Sequence, residues 1–594
     1  SFPLTGEWKA NTTREYKLSQ KNSSWGYIFT LAKENKTFDY QGNETNSEAA
    51  FEVTSYRQAP DGTKQPVAWK VTKYEEWDYT TNNWVTRAAK PAWLGNIADQ
   101  GTGVAGSAES VNTSVEAATI TDRLKEYNDV LKNATPKGTA ANPYNLANPS
   151  GDGAKSHIEE TANCYLISAP GHYCIPLVYG NAIKDGTTNS HAYQTSNSGA
   201  YILQHFKDHA GVDIASPYIN VQNASDPATQ ASIVWTDQSG IIEASSLGIE
   251  GSGTNAFVHF RVPQDKIKNG NAVIAVKNAS GTVMWSWHLW FIHDDALNTV
   301  TCTNFQGHKY KFTQETLGWK YTALKVSTYS APRKVRVKVE QTVANGGVKQ
   351  SAYITITQNP GNARRGYNTF YQFGRKDAFP GTDTTPDGSF TPNGGNNMSI
   401  QNGIQHPETF YTDGSTWSND YNQYNLWSMD NTTTGFNDDA VVKTIYDPCP
   451  AGFKMPASNA FTGFTTTGRN VSTQSQFNVS GAWDYGWNFN NKITSPDATV
   501  YSPVSGSRSG NDGLLRNVGV IGYYWSAVPY DAGSGYDLVF HLRGVFPLFG
   551  GNRALGCSVR PVAEPKTRVT PKLPGSTEED WSNNEDIDAG NIDI

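Results

Sequence analysis

The stretch GVFPLFGGNRALGCSVRPV, residues 544–562, sets apolar side chains beside a glycine pair and then ends in an alternating run. The glycine pair indicates a turn or an irregular segment, whereas the alternation through Cys557 and Val559 is typical of a half-buried strand. An apolar trio is therefore predicted to lie in a loop outside the strand core: Phe546, Leu548 and Phe549. Two interpretations stay open, an exposed recognition patch or a loop folded back over a small core of its own.

Composition places this stretch in a long, β-rich chain. At 594 residues the sequence exceeds what one hydrophobic core serves, so we expect about three or four domains. Aromatic residues make up 12% and charged residues 17%, a balance that favours short strands joined by turn-rich loops. The net charge of −7 supplies no basic field for phosphates, and only the run at 332–338 concentrates lysine and arginine. Nucleic acid is thus excluded as an expected partner.

Two further features bear on the compartment. The sequence contains no run of about 18 apolar residues, and Ser1 opens into a polar segment, so we expect any export signal to be removed or to lie upstream. The cysteine count is odd, and the spacing forms neither a metal motif nor a dense disulfide framework. Buried free thiols or one incidental bridge are expected for these residues: Cys164, Cys174, Cys302, Cys449 and Cys557.

The pattern along the chain predicts several units. Residues 1–91 indicate a β-sandwich or its later part, and residues 92–153 a polar connector with one short helix in TITDRLKEYNDVLKNA. Residues 154–303 indicate a second β-domain, whose NASGT segment is typical of a hairpin turn. Its aromatic run is expected in the sheet core: Trp285, Trp287, Trp290 and Phe291.

The remainder of the chain changes character. Two alternating runs separated by NGG predict a β-hairpin at 326–358, and residues 304–562 then carry long loops rich in Gly, Asn and Thr. A Pro-rich linker and an acidic tail follow at 563–594. We expect any ordered part of the tail to pack on the last domain or on another molecule, with Trp581 as its anchor.

Motifs for catalysis are weak. Histidines near aromatic strands show no ligand spacing, and acidic pairs such as Asp294 and Asp295 or Asp438 and Asp439 are common in surface loops. The segment EDIDAG, residues 585–590, falls out of register with a calcium loop. We therefore predict no enzyme, no cofactor and no metal.

Four segments of the last domain carry a family resemblance. NTFYQFGRKDAFPG (368–381), TIYDPCPAGFKMPASNAFTGF (444–464), GYYWSA (522–527) and NRALGCSVRPV (552–562) together resemble the Fibrobacter-type major paralogous domain of Bacteroidetes surface proteins. The resemblance spans roughly residues 304–562, with the hairpin as an insertion, and implies a C-type-lectin-like α+β fold. Where that family usually has an aromatic residue before SVRPV, this chain has Cys557.

Segments of the second β-domain are similar to another protein class. ETANCYLISAPGHYCIPLVYGNAI (160–183) and MWSWHLWF (284–291) resemble parts of fimbrillin-type proteins of the same bacteria. That resemblance implies fimbrillin-like sandwiches, pilus subunits as partners through donor-strand exchange, and a cell-surface location on a fimbrium. A lectin-like module after such domains implies a pilus-tip adhesin that binds a protein or glycan ligand.

The stretch HLRGVFPLFGGNRALGC, residues 541–557, also resembles a segment that is varied by a diversity-generating retroelement, which randomises the adenines of asparagine codons. Lys, Glu, Gln, Met and Trp are out of reach of that change, and none occurs between Ser526 and Cys557. The resemblance implies a ligand-binding set on one solvent-facing surface: Tyr530, Asp531, Tyr536, Asp537, His541, Arg543, Phe546, Leu548, Phe549 and Leu555. Trp525 and Val559 are expected to be buried frame residues. We expect ligand binding to survive removal of residues 1 to about 300, because the motifs of the two halves are separate.

Two other functions remain open at this point. A surface enzyme on a lectin-like fold would need convergent titratable groups in a deep pocket, whereas an adhesin would present a shallow aromatic surface. A structural pilin without a ligand is the third possibility.

Overall fold

A computed structural model describes residues 10–13, 25–45, 50–79, 81, 83–329, 331–414, 417, 421–481 and 483–565. The structure is mainly β, as predicted. The predicted anchor Trp581 and nearly all of the linker and tail lie outside the described residues.

Short strands make up most of the regular structure. Strands β1 to β10 are Gly26–Ala32, Asn35–Phe38, Ala50–Gln58, Lys64–Pro66, Trp69–Asp78, Asn83–Arg87, Leu94–Ile97, Gln100–Gly101, Glu109–Val115 and Ile120–Asp122. Strands β11 to β20 are Tyr144–Asn145, Cys164–Ile167, Gly171–Pro176, Ile183–Lys184, Thr187–Thr188, Gln230–Thr236, Gly248–Glu250, Phe257–Val262, Gly270–Lys277 and Val283–Phe291. Strands β21 to β28 are Thr299–Thr303, Lys309–Thr313, Lys320–Ser327, Arg333–Gln341, Ser351–Gln358, Ala363–Tyr367, Asp387–Gly388 and Phe453–Lys454. Strands β29 to β37 are Val479–Ser480, Gly486–Asn490, Thr499–Pro503, Ser507–Arg508, Leu515–Arg516, Ile521–Asp531, Ser534–His541, Gly544–Asn552 and Val562–Ala563. The α-helices α1 to α3 are Leu124–Asn133, Ile219–Gln222 and Ile400–Gln405.

Two sheets form the first sandwich. One sheet has the order β1-β3-β9-β7, and the other has the order β2-β25-β24-β5-β6. Alternate residues of each sheet point inward and share one core, with Phe51 and Val53 from the first sheet against Val337 and Ile354 from the second.

The predicted hairpin at 326–358 forms, but it belongs to this first sandwich. Strand β24 pairs antiparallel with β5, and β25 pairs parallel with β2. In the sequence, the hairpin therefore interrupts the last domain. In space, it completes a sheet with strands that lie more than 200 residues earlier in the chain. Alternation along a strand shows that one face is buried, but it does not identify the sheet that buries it.

The predicted boundary at residue 91 also shifts. Strands β7 and β9 lie in the first sheet, so the polar segment 92–153 is only partly a connector. Its predicted short helix is α1, and its strand β10 pairs with β23.

The second β-domain is built around the sheet β12-β20-β19-β16. The NASGT turn joins β19 to β20 as predicted, and every residue of β20 is buried, including the expected aromatic run. This sheet continues into the last domain, because β16 pairs with β27. One hydrophobic core consequently runs from Trp285 through Phe373 and Trp427 to Trp525, and residue 304 does not separate two cores.

The last region adds a second core between small sheets and long loops. The sheets are β21-β22-β37-β28, β29-β30-β31 and β34-β35-β36, and a 3-10 helix at Ser458–Phe464 packs beneath them.

All five cysteines are buried and unbridged. Burial raises the pKa of the Cys302 thiol to about 12, so it stays protonated at neutral pH. In the described part of the chain, no helix is long and apolar enough to cross a bilayer.

Candidate ligand-binding face

The three antiparallel strands β34, β35 and β36, hereafter the meander, carry the predicted site. Strand β35 lies in the centre and pairs with β34 on one side and β36 on the other. The stretch 544–562 is thus mostly strand in its first half, where a loop was predicted, since Gly544–Asn552 is β36. In β36, a bulge between the residues that pair with Asp537 and Val539 accommodates Pro547. Gly551 allows a close approach to Trp525, because a Cβ atom at this position would lie only 2.9 Å from the Trp525 ring.

The outer edge of β36 is covered rather than open. The Asn470 side chain donates to the Leu548 carbonyl and accepts from its N–H, both at 3.0 Å. Val471 and Val545 exchange backbone hydrogen bonds at 2.9 Å. This pairing holds a Pro- and Gly-containing segment in strand geometry.

The meander rests on buried frame residues. Trp525 and Val559 are fully buried, as predicted, and Trp525 Nε1 donates to the Tyr371 carbonyl at 2.8 Å. Two buried arginines hold loop backbone: Arg553 donates to the Gln423 carbonyl at 2.8 Å, and Arg560 to the Thr313 carbonyl at 2.7 Å. The guanidinium fork suits this task because its donors reach several carbonyls at once.

Eight of the ten predicted site residues reach solvent. Four are exposed, namely Tyr530, Asp531, Arg543 and Phe549. Four are partly exposed, namely His541, Phe546, Leu548 and Leu555, of which Leu555 packs against the large core. Tyr536 and Asp537 are buried, which corrects their prediction as surface residues. Both lie in the central strand, whose two faces are each covered by other parts of the chain.

The exposed residues do not share one surface of the meander. Phe549 pairs with Asp537 and Gly550 pairs with Tyr536, so these consecutive residues of β36 point to opposite faces. The Tyr530 ring lies where the Cβ of Gly550 would be, which places Tyr530 on the face of Tyr536. The prediction of a single surface is therefore wrong.

Each face carries an aromatic group. On the first, the Phe549 face, the rings of Phe546 and Phe549 lie 6.2 Å apart, and those of His541 and Phe546 lie 5.7 Å apart. On the second, the Tyr530 face, Tyr530 lies 4.9 Å from Tyr536, which meets Phe436 edge-on at 6.1 Å.

Sequence reasoning missed several surface aromatic residues near the meander. Phe436 is 56% exposed, and Tyr201 is 38% exposed and stacks on Tyr424 at 4.9 Å. Tyr201 belongs to the second β-domain. None of the three lies in a segment that resembles a binding site, so the signal that finds them is spatial, namely ring packing and exposure.

Asp537 is an unusual buried group. Among the described residues neither of its carboxylate oxygens has a hydrogen-bond partner, and its residue exposure is 1%. Burial raises the pKa of Asp537 to about 8, so the side chain is mostly protonated at neutral pH.

Outside the meander, the described residues form clefts but no metal-ligand cluster. Within the described ranges, no group of three or more His, Cys, Asp or Glu side chains is arranged to hold a metal ion. A polar cleft of about 280 Å³ lies apart from the meander, lined by Glu160, Lys184, Lys443, Lys454 and Glu564 among others.

Comparison with known proteins adds little. No family model matches this chain, and no curated protein matches it. A solved structure, the crystal structure of the protocadherin GammaB4 extracellular domain, aligns at 10% identity with a TM-score of 0.10. The alignment covers 58% of this chain and 52% of that chain, so this chain spans about half of that structure's length. A likeness this weak carries no argument about fold or function.

Proposed function

We propose that this protein is a cell-surface adhesin that binds its ligand through the meander of a C-type-lectin-like domain. The observation that carries the proposal is the arrangement of β36, where Phe549 at 47% exposure and partly exposed Phe546 stand on a sheet fixed by Trp525. Exposed aromatic rings on a rigid frame are typical of protein recognition surfaces, because they supply contact area at little cost in side-chain entropy.

The proposal extends to a place at the tip of a fimbrium. The resemblance to fimbrillin-type proteins supports it, and so does the edge of the first sandwich. Among the described residues, β1 pairs with β3 alone, which leaves main-chain groups for a strand from another pilus subunit. In this proposal the partners are pilus subunits on one side and a host, bacterial or glycan surface ligand on the other.

Binding of the full chain to a glycan array and to host and bacterial cell surfaces tests the proposal. Phe549→Ala is expected to weaken binding by about 2 kcal/mol if the ring is a hot spot. Val518→Ala is the matched control, since Val518 is also exposed, at 53%, but lies outside the meander. Binding that is equally strong for wild type and Phe549→Ala, or absent from every surface, would contradict the proposal.

A further inference from the structure

Two parts of the chain outside the meander form a surface beside the β34–β35 turn, hereafter the turn surface. Tyr201 and Tyr424 stack with their ring planes 26° apart, and the Tyr424 N–H donates to the Tyr201 carbonyl at 2.7 Å. Asn425 fixes the same junction, because its side chain accepts from the Leu203 N–H and donates to the Leu203 carbonyl, both at 2.9 Å. The stacked pair is therefore held by one backbone hydrogen bond and by two hydrogen bonds of the Asn425 side chain.

Buried Arg553 joins this stacked pair to the meander. Its guanidinium donates to the carbonyls of Tyr421 and Gln423, and its N–H donates to the Gly533 carbonyl at 3.0 Å. The tyrosines thus lie beside the β34–β35 turn that carries Asp531. The pKa of the Tyr424 hydroxyl reflects this proximity. Burial and then Tyr201 raise that pKa, Arg553 lowers it, and Asp531 raises it.

The segment before Phe436 reaches the meander from the other side. The Asn431 side chain donates to the Ala527 carbonyl at 2.8 Å, which places the neighbouring Asp430 close to β34. Asp430 lies 3.1 Å from the amide of Asn197 and 3.4 Å from the His191 ring, and its side chain is 46% exposed.

The charge on the turn surface is acidic. Asp531 is exposed, and its Oδ1 accepts only a backbone N–H, that of Gly533, among the described hydrogen bonds. In the described part of the chain, no lysine or arginine forms an ion pair with Asp430 or Asp531. The guanidinium of Arg553 is fully buried and directed at carbonyl groups.

We propose that the turn surface binds a cationic segment of a partner protein, one that presents arginine or lysine side chains. The turn surface comprises Tyr201, Tyr424, Asp430 and Asp531. Aromatic rings at the surface attract a cation through their electron-rich faces, and carboxylates that lack a lysine or arginine partner add charge complementarity. The inference rests on the proposed function, since it names the chemistry of a ligand that engages the same domain.

Direct binding of a labelled peptide to the full chain tests this inference. The probe alternates arginine and glycine, and its matched partner carries glutamine in place of arginine. The arginine peptide is expected to bind, and its affinity to fall at least about tenfold from about 0.05 M to about 0.5 M salt. The single changes Asp531→Asn and Tyr201→Ala are each expected to weaken it by about tenfold.

The controls separate a specific face from general attraction to an acidic protein. Asp265→Asn removes an exposed carboxylate elsewhere and changes the net charge as Asp531→Asn does, so it should leave the affinity within about twofold. Equal effects of Asp265→Asn and Asp531→Asn would overturn the inference. Equal affinity for the glutamine peptide would also overturn it. So would a neutral glycan that binds through Tyr201 with an affinity independent of salt concentration.

The two proposals fail in different ways. If a natural ligand binds with dependence on Phe549 but the arginine peptide does not bind, the inference is overturned and the adhesin proposal stands. If the peptide binds through Tyr201 and Asp531 while no cell or glycan surface is bound, the adhesin proposal fails and the cationic site stands.

Discussion

Asp537 shows how one residue can set the pH response of the meander. The groups around it offer no counter-charge: the thiol of Cys557 and the hydroxyl of Tyr523 both have a pKa raised by burial and are neutral below pH 8. The Asp537 carboxyl therefore keeps its proton in the native state up to about pH 8, whereas the unfolded chain releases it near the ordinary value of 3.8.

The sign of the effect follows from proton binding. Between these two values the native state binds the proton and the unfolded state does not, so the free energy of unfolding falls as the pH rises. The slope is at most about 1.4 kcal/mol per pH unit for one group, and it disappears above the folded pKa. Asp537→Asn is expected to flatten the slope and to stabilise the protein near pH 8.

Urea unfolding at about pH 5 and about pH 8 measures this slope. Asp531→Asn is the control, because Asp531 is an exposed carboxyl on the same hairpin and its removal should leave the slope unchanged. If wild type and Asp537→Asn lose stability equally between the two pH values, Asp537 does not carry a buried proton.

At the scale of elements, the hairpin of β24 and β25 is a structural part of the first sandwich. Ile354 in β25 is fully buried in that sandwich core, and β24 lies between β25 and β5 in the sheet. Ile354→Ala is expected to destabilise the sandwich by about 2–5 kcal/mol through the cavity it leaves. The loss should appear as faster amide exchange in β1, β3 and β9, while β35 keeps its protection.

Thr355→Ala is the matched control for this change. Thr355 is the next residue of β25, and it points away from the sandwich core and is partly exposed. A small effect is expected there. Equal loss of protection in the first sandwich and in the meander after Ile354→Ala would instead mean that the two unfold as one unit.

A single strand is easier to predict from the sequence than the strands that pair with it. The alternation of Val335, Val337 and Val339 correctly predicts a strand of a hairpin, because a half-buried strand repeats every two residues. The partner sheet depends on contacts from residues far away in the chain, which a local pattern does not contain. The same limit applies to Tyr201 and Tyr424, which become neighbours only through folding.

The errors at the meander have a similar origin. Pro547 and the glycine pair argue locally against a strand, yet an outer strand tolerates a proline at a bulge, and Asn470 supplies the missing pairing. The surface position predicted for Tyr536 and Asp537 depends on their place in the segment that resembles a diversified binding loop, which carries no information on burial. In β35 both faces are covered, so consecutive residues are buried and alternation is lost.

At the scale of the whole molecule, the second β-domain and the last domain are joined by a buried polar network. His288 contacts the Tyr371 hydroxyl at 3.1 Å through one ring nitrogen and Asn271 at 2.9 Å through the other. Burial lowers the pKa of His288 to about 3, so the ring is neutral at physiological pH. Lys376 and Asp377 of the last domain also contact each other and Ser286 of β20. Removing either side would leave these polar groups unsatisfied, which is costly in a core.

This shared core changes what a minimal binding fragment must contain. A fragment of residues 304–565 would expose Tyr371 and Tyr446, whose rings lie 6.5 Å from His288 and 6.2 Å from Trp285. It would also remove Trp235, whose Nε1 donates to the Ala378 carbonyl at 3.0 Å. We expect that fragment to lack a cooperative unfolding transition, contrary to the prediction that binding survives removal of the first 300 or so residues.

A different deletion should preserve the fold. The hairpin departs from the rest of the last region after Ser327 and rejoins it at Asn362. These two points lie side by side, because the Ser327 N–H donates to the Asn362 side chain at 2.7 Å. A chain that starts at residue 117 and replaces residues 329–360 with a short Gly/Ser linker keeps β10 paired with β23 and removes the first sandwich completely. Calorimetry and near-ultraviolet circular dichroism should show cooperative unfolding for this chain and none for 304–565, because only the former keeps the large core intact. The reverse result, a folded 304–565 and an unfolded longer fragment, would show that the last domain is independent and that the contacts of Trp235 and His288 are dispensable.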